Sequence, residues 1–511
     1  MTGQNGLSEL ENRKNQALEM GGPEKIAKHL ARGKLDVRTR INQLCDAGSF
    51  REIGSLSGVA QYNPDGSLDS LAPSNFIFGR GKIEGRDVVI TGDDFTVRGG
   101  SADASIAEKT IQAERMAHEL RLPMVRLIDG TGGSVRTIES IGRTYVPACP
   151  GWDSVVKNLE TVPVIALVLG SVAGIASARA VSAHLTVMTR STSHMFIAGP
   201  PVVARIGIET DKDSLGGPTV HERAGAADLV VEDEAEAFAV TRQYLSYLPS
   251  SVGEALPVSA PVTVAHAPEL RSVIPASKRQ TYRMRTILRR VLDPDSLLEV
   301  APKFGRSTIT ALARIDGHPV AVLASDPNTY GGGWSADTCD KITRFVDFAE
   351  TFRLPLVHFV DIPGFMIGPD AENTGTIRRG ARTMAAVYRM TVPSMGVIIR
   401  KCFGVGGAAH INPEGFRHRI AWPTGDWGSI PLEGGIEAAF RAELDAAPDR
   451  AAALAEIEAR LENLRSPFRT AEAFGIEEII DPAETRSHLV DFIHLAYRRN
   501  MRDAPATRYR P

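Results

Sequence analysis

One nine-residue stretch occurs twice, and its spacing constrains the architecture more than any other feature. Arg121-Leu-Pro-Met-Val-Arg-Leu-Ile-Asp129 returns 232 residues later as Arg353-Leu-Pro-Leu-Val-His-Phe-Val-Asp361. Upstream, Lys82-Ile-Glu-Gly-Arg-Asp-Val-Val-Ile90 is echoed by Arg314-Ile-Asp-Gly-His-Pro-Val-Ala-Val322 at the same offset. Downstream, Thr161-Val-Pro163 precedes an apolar run, as does Thr391-Val-Pro393, at an offset of 230. Solenoid repeats have periods of about 20–50 residues. Three anchors in one order at this much longer spacing read as two whole domains of one fold.

Each copy has the same rhythm. A strand with a tight turn (83–90; 315–323) leads to a stretch of helical apolar spacing (107–120; 336–352). A short apolar strand ending in Asp follows, then a Gly-containing loop, a further helix, a further strand and a second Gly-rich turn. Strands alternating with helices at this interval predict an α/β fold of parallel βαβ units with helices outside. The proline-rich stretch 256–275 reads as a linker between domains 1–255 and 276–511. The Ala/Glu/Arg-rich segment 436–464 predicts helices without a counterpart in the first half. The 511 residues leave each copy enough chain for a full core.

Lys and Arg total 58 against 61 Asp and Glu, a net charge of −3, so no nucleic-acid partner is expected. The four cysteines lie far apart, which predicts a reducing compartment and no metal in this chain. The acidic N-terminus lacks the apolar core of a signal peptide. The most apolar run, 162–178, is broken by Pro163, Gly170 and Gly174, so no membrane span is expected and the predicted location is cytoplasmic.

The glycine excess, 47 residues, gathers beside apolar runs. Through the repeat, Gly174-Ile175-Ala176 lies over Gly404-Val405-Gly406, each after a buried strand and before a helix. Such a turn points unpaired backbone N–H groups at the mouth of a helix, where negative charge is favoured. It can hold a phosphate or the oxygen of an enolate. Neither turn has P-loop spacing, and no Gly-x-Gly-x-x-Gly follows the right strand. Two equivalent turns suit a reaction in which two carbonyl-derived oxygens become negative. Close packing is the alternative for either turn alone.

The chain resembles the carboxyltransferase (β) subunits of biotin-dependent acyl-CoA carboxylases, such as the propionyl-CoA and methylcrotonyl-CoA enzymes. The resemblance runs from Ala31-Arg-Gly-Lys-Leu35 and Arg38-Thr-Arg-Ile41 to Asp481-Pro-Ala-Glu-Thr-Arg486. It includes Asp94-Phe-Thr-Val-Arg-Gly-Gly-Ser101, Phe359-Val-Asp-Ile-Pro-Gly-Phe365, Ile377-Arg-Arg-Gly-Ala381 and Ala421-Trp-Pro-Thr424. It implies two tandem crotonase-like domains, the first binding acyl-CoA and the second biotin, and transfer of carboxylate from carboxybiotin to the α-carbon of an acyl-CoA. It also implies partners that carry biotin and biotin carboxylase, and a homohexamer built as a trimer of dimers.

Carried over by position, the resemblance places the acyl-CoA oxyanion hole at Gly174 and Ile175 and the biotin-side hole at Val405 and Gly406. Acyl-CoA contacts are expected at Arg32, Lys34, Gly132, Gly133, Ala176 and Ala178; biotin-side contacts at Gly364, Phe365, Gly404, Gly407 and Ala408. The first turn departs from the family's second glycine with Ile175, where positive φ is disfavoured. Asp129-Gly-Thr-Gly-Gly-Ser134 is one residue longer than the family loop, and 425–431 departs wholly. Arg32, Lys34, Arg38 and Arg40 are open to two readings, phosphate contacts or a solvated helix face. His221 and His410 are expected to be structural, and Asp129 and Asp361 to cap loops. Three other functions stay open: a biotin-linked decarboxylase subunit, a crotonase-type hydratase or hydrolase, and an inactive scaffold.

Overall fold

The computed structural model describes residues 3–101, 106–133, 136–412, 417–462 and 464–498. The chain divides into two compact units, Met1–Glu254 and Ala255–Thr507. The sheet of the first unit has seven strands that neighbour one another in chain order. They are β1 (Arg51–Ile53), β2 (Phe76–Ile83), β3 (Arg86–Asp93), β4 (Met124–Ile128), β5 (Val164–Val168), β6 (Leu185–Thr189) and β7 (Leu229–Val231). The second unit repeats this with β8 (Leu298–Val300), β9 (Thr308–Ile315), β10 (His318–Ser325), β11 (Leu356–Ile362), β12 (Ser394–Phe403) and β13 (Arg417–Ala421). There β14 (Asp426–Gly428) adds to β12, and β15 (Glu478–Ile479) closes the order beside β13. In both units the first two pairings are antiparallel and the rest parallel. The parallel βαβ expectation therefore holds only beyond the opening hairpin.

The parallel strands are buried on both faces, which is why they read as nearly continuous apolar runs. Arg126 interrupts β4, and each nitrogen of its guanidinium is hydrogen-bonded. It donates to Glu114 at 3.0 and 2.8 Å and to the carbonyls of Arg179 and Ser182. Helices α1 (Ala107–Leu120) and α2 (Ile175–Val181) belong to the first unit; α3 (Ala336–Phe352), α4 (Gly404–Ala408) and α5 (Thr485–Arg498) to the second.

The duplication is written in the backbone as well. Left-handed residues recur at the 232-residue offset even where the side chain has changed: Glu84 and Asp316, Arg98 and Tyr330, and Arg121 and Arg353, all with φ between 50 and 58°. Arg121 and Arg353 end α1 and α3, and the next residue's N–H returns to a carbonyl five residues back. Each opening hairpin turns through two residues with positive φ, Glu84-Gly85 and Asp316-Gly317. Asp46 accepts both amides of the first turn at 2.9 and 2.8 Å, and Asp293 those of the second at the same distances.

Residues 256–275 are not a free tether. Ser259 donates to the Gly317 carbonyl, Arg314 donates to that of Pro257, and Ala267 and Leu270 lie in the core of the second unit. The expected C-terminal helices are present as Leu432–Ala439, Arg441–Ala446 and Arg450–Glu462, with a small core of Ile436, Leu444 and Ile457. Among the described residues no helix is long and apolar enough to cross a membrane.

Two adjacent glycines separate backbone strain from contact. Gly331 (φ 61°) has open space where a Cβ would stand, whereas a Cβ on Gly332 (φ 87°) would lie 2.2 Å from the Asp361 carbonyl oxygen. Left-handed backbone costs an L-residue about 1–2 kcal/mol. Gly331→Ala is expected to lower the urea unfolding free energy by about that amount, and Gly332→Ala by clearly more. Equal losses would show that the approach to Asp361 is irrelevant.

Candidate active site

Each unit carries one glycine turn at the carboxyl end of its sheet. In the first, the chain leaves β5, forms a short parallel pair (Ser171–Ala173 with His194–Phe196), and turns at Gly174 with φ 62° into α2. In the second, β12 runs straight into Gly404, φ 61°, at the start of α4. Glycine therefore takes the positive φ in both turns, and Ile175 and Val405 keep helical backbone. The Gly174 N–H is already committed: it donates to the Phe196 carbonyl at 3.1 Å. Gly174 cannot be a free donor, which corrects the expected Gly174–Ile175 pair. Helix geometry leaves the first-turn N–H groups of Ile175 and Ala176 without a carbonyl four residues back. They align with Val405 and Gly406, so the two turns share one register.

A buried aspartate lies beneath each turn. Asp129 follows β4 and is fully buried; Lys34 Nζ lies 3.0 Å and Arg40 2.9 Å from its carboxylate, and Arg40 also makes two bonds to Glu234. Burial alone would raise the Asp129 carboxyl, but Arg40 and Lys34 outweigh it and hold it below the usual carboxylate range. Gly170 has no room for a side chain, since its Cβ would lie 1.7 Å from Asp129 Oδ1. Asp361, equally buried, accepts from Tyr282 Oη (3.0 Å), Arg400 Nε (3.2 Å) and the Lys401 amide (3.0 Å). Asp361 accepts a backbone amide as a loop cap does, whereas the Asp129 carboxylate is bound by the side chains of Lys34 and Arg40.

Of the residues expected at the acyl-CoA side, Lys34 is buried against Asp129 and Arg32 is exposed. Arg38 pairs with Glu52, so neither it nor Arg40 is free for phosphate. A Cβ on Gly132 would stand 2.9 Å from the Ala173 carbonyl, so this glycine packs on the turn; Gly133 is exposed, and Ser134 lies outside the described residues. Ala176 is buried, and Ala178 donates its N–H to Gly174. His221 bonds the Met195 carbonyl at 2.6 Å, a structural use.

On the second side, Gly364 (φ 126°) walls the turn, its Cα 3.4 Å from where a Cβ on Gly406 would stand. Phe365 packs edge-on to Trp334 and against Gly380, which has no space for a methyl group. Gly404, Val405, Gly407 and Ala408 line a pocket of about 520 Å³ with Cys402, His410, Arg419 and Trp427. Gly407 is buried, and a Cβ there would stand 2.7 Å from the Cys402 carbonyl carbon. Its small size serves close approach to β12, so among these neighbours Ala408 is the one whose lack of bulk opens the pocket. Trp427 stands in the wall, its indole N–H donated to Thr470 at 3.0 Å. His410 bonds the Gly407 carbonyl, and His358 bonds that of His410 at 2.9 Å. Sequence reasoning missed Tyr282, Glu234 and Thr470; their partners lie 43 to 194 residues away, so no local spacing marks them.

A family profile described as a carboxyl transferase domain matches residues 28–510. The chain belongs to the carboxyl transferase family. It is 33% identical to the propionyl-CoA carboxylase carboxyltransferase subunit of Haloferax mediterranei, across 96% of each sequence. It is 32% identical to the methylmalonyl-CoA carboxyltransferase 12S subunit of Propionibacterium freudenreichii subsp. shermanii, across 96% of this chain and 94% of that one. A solved transcarboxylase 12S structure, a hexamer with methylmalonyl-coenzyme A bound, superposes with a TM-score of 0.89 at 29% identity, covering 100% of this chain and 98% of that one. Both units accordingly have the crotonase-like carboxyltransferase fold.

Two measurements test this reading of the site. Lys34→Ala breaks a buried ion pair and is expected to cost about 3 kcal/mol of stability. Arg32→Ala should stay within about 0.5 kcal/mol of wild type while raising KM for a coenzyme A thioester. A large KM change in a Lys34→Ala protein of normal stability would reverse the two roles.

His358 and His410 give a pH signature. Burial depresses their imidazoles to about 3 and about 4, from 6.5 when unfolded. The unfolded chain then binds more protons below pH 6.5, so their contribution to stability is full above that pH and falls as pH drops toward 4. Asp93, raised by burial to about 6, acts in the opposite sense. The expected readout is therefore a difference: His358→Gln should show a shallower fall in thermal midpoint between pH 6.5 and 4.5 than wild type. Identical slopes would mean that His358 is not held neutral.

Proposed function

We propose that the chain is the carboxyltransferase component of a biotin-dependent acyl-CoA carboxylase. The observation that carries this is the matched pair of first-turn amides, Ile175–Ala176 and Val405–Gly406, each behind a positive-φ glycine and above a charge-neutralised aspartate. The Ile175 and Ala176 amides donate to the thioester oxygen as it gains charge on loss of the α-proton. Losing one such donor typically costs about 3 kcal/mol of barrier. The pocket lined by Gly404, Val405, Gly407 and Ala408 is the proposed seat of a small planar ring whose carbonyl oxygen faces the amides. Biotin, borne on a partner subunit or domain, supplies the carboxyl group when bound there. No side-chain base is assigned to this chain. A homohexamer, as in the transcarboxylase 12S structure, is the proposed assembly. The room beside Ala408 favours an acyl group larger or more polar than acetyl.

One assay series tests this. The purified chain alone should make no carboxylated acyl-CoA from ATP and labelled bicarbonate, and a cognate biotinylated carboxylase subunit should restore the activity. In that mixture Gly406→Pro should lower turnover by about 100-fold or more, with folding and assembly checked first, and acetyl-CoA should be a poor substrate. ATP-driven turnover by the chain alone would refute the proposal. Wild-type turnover by a well-folded Gly406→Pro protein would place the second hole elsewhere.

A further inference from the structure

We infer that Asp316, His318 and His494 form a zinc site that clips the β9–β10 hairpin to α5. One ligand atom from each residue lies within 4.8 Å of the other two. Asp316 is the first residue of the hairpin turn, His318 the first of β10, and His494 lies in the last helix. Two imidazoles and a carboxylate are a donor set suited to Zn²⁺, with water as a fourth ligand.

The site is built rather than accidental. The Asp293 carboxylate holds both turn amides, and Arg486 at the start of α5 holds Asp293 in turn at 2.7 Å. His318 Nδ1 lies 2.8 Å from the Asp316 carbonyl. A carbonyl only accepts, so Nδ1 carries the ring proton and the lone pair is left on Nε2. A hydrogen bond of this kind fixes the orientation of metal-bound histidines. Tyr497 packs edge-on to the same ring, with centroids 4.6 Å apart, and donates its hydroxyl to the Pro319 carbonyl. His494 Nε2 lies 2.8 Å from Asp316 Oδ2, so the metal-free state is closed by a hydrogen bond that zinc would replace.

The first unit supplies an internal comparison. Its equivalent turn has the same φ values and the same aspartate clamp, but the residue matching His318 is Arg86. Arg86 donates to the carbonyls of Leu245 and Leu248, tying that hairpin to the end of helix Glu234–Ser246. This helix follows β7 as α5 follows β15. The same junction is thus fastened by a guanidinium in one unit and gathers three metal ligands in the other.

Calorimetric titration of the untagged full-length chain with Zn²⁺ tests the inference. One zinc per chain is expected, with a rise in thermal midpoint on binding. Loss of even a supporting partner of a metal ligand costs about 10–100-fold in affinity, so His494→Ala should lose at least that much. The His494 side chain is 44% exposed, so its removal leaves the core intact. His318→Arg, which copies the first unit, should abolish zinc binding while keeping the metal-free thermal midpoint near wild type. Absence of zinc binding by the wild-type chain, or unchanged zinc affinity in either folded variant, would overturn the site.

Discussion

Each unit is organised around a carboxylate with no access to water. Asp129 and Asp361 sit where the fourth strand of the sheet gives way to the loop beneath the glycine turn, and both are fully buried. An unpaired charge there would destabilise the fold by several kcal/mol. The surrounding cations are therefore structural necessities, and they draw distant segments together. Lys34 comes from the loop between two N-terminal helices and Arg40 from the second of them, Arg400 from β12 and Tyr282 from the stretch before the hairpin. Once those segments are in place, the strand ends are fixed and the turns have little freedom. In the second unit the link is direct, because Asp361 holds the Lys401 amide three residues before Gly404.

That dependence also explains which part of the site could be read from sequence. The duplication, the order of strands and helices, and the location of both turns were legible because they rest on local pattern and on repetition at 230–232 residues. That the Gly174 amide is not free could not be read, because its bond runs to Phe196, in a short parallel pair with no strong apolar signature. Lys34 looked like a phosphate ligand for a related reason. A lysine near the N-terminus of a coenzyme A-binding chain reads the same whether or not an aspartate 95 residues away is waiting for it. Gly407 shows the converse: the resemblance names it a biotin-side contact, and the structure spends its small size on contact with β12.

The two turns reach the same geometry by different routes. The first needs an extra strand pair between the sheet and Gly174; the second runs directly from β12. What is common is the sign of φ at one glycine and the helical start that follows it. Chemistry that relies on backbone amides is therefore insensitive to the side chains at 175 and 405, and both can be β-branched. Trp427 and Ala408 are among the side chains that line the space beside the second turn.

The neutralisation of the two aspartates carries a consequence for how such a chain can evolve. Gly170 and Arg400 occupy corresponding places in the repeat, 230 residues apart. An arginine at 170 would meet the Asp129 carboxylate at its own Cβ, and a glycine at 400 would strip Asp361 of its guanidinium. Gene conversion between the duplicated halves across this strand would thus destabilise the recipient in either direction, by about 3–5 kcal/mol where a buried ion pair is broken. Selection against such exchange insulates one half from the other, so the two copies diverge independently.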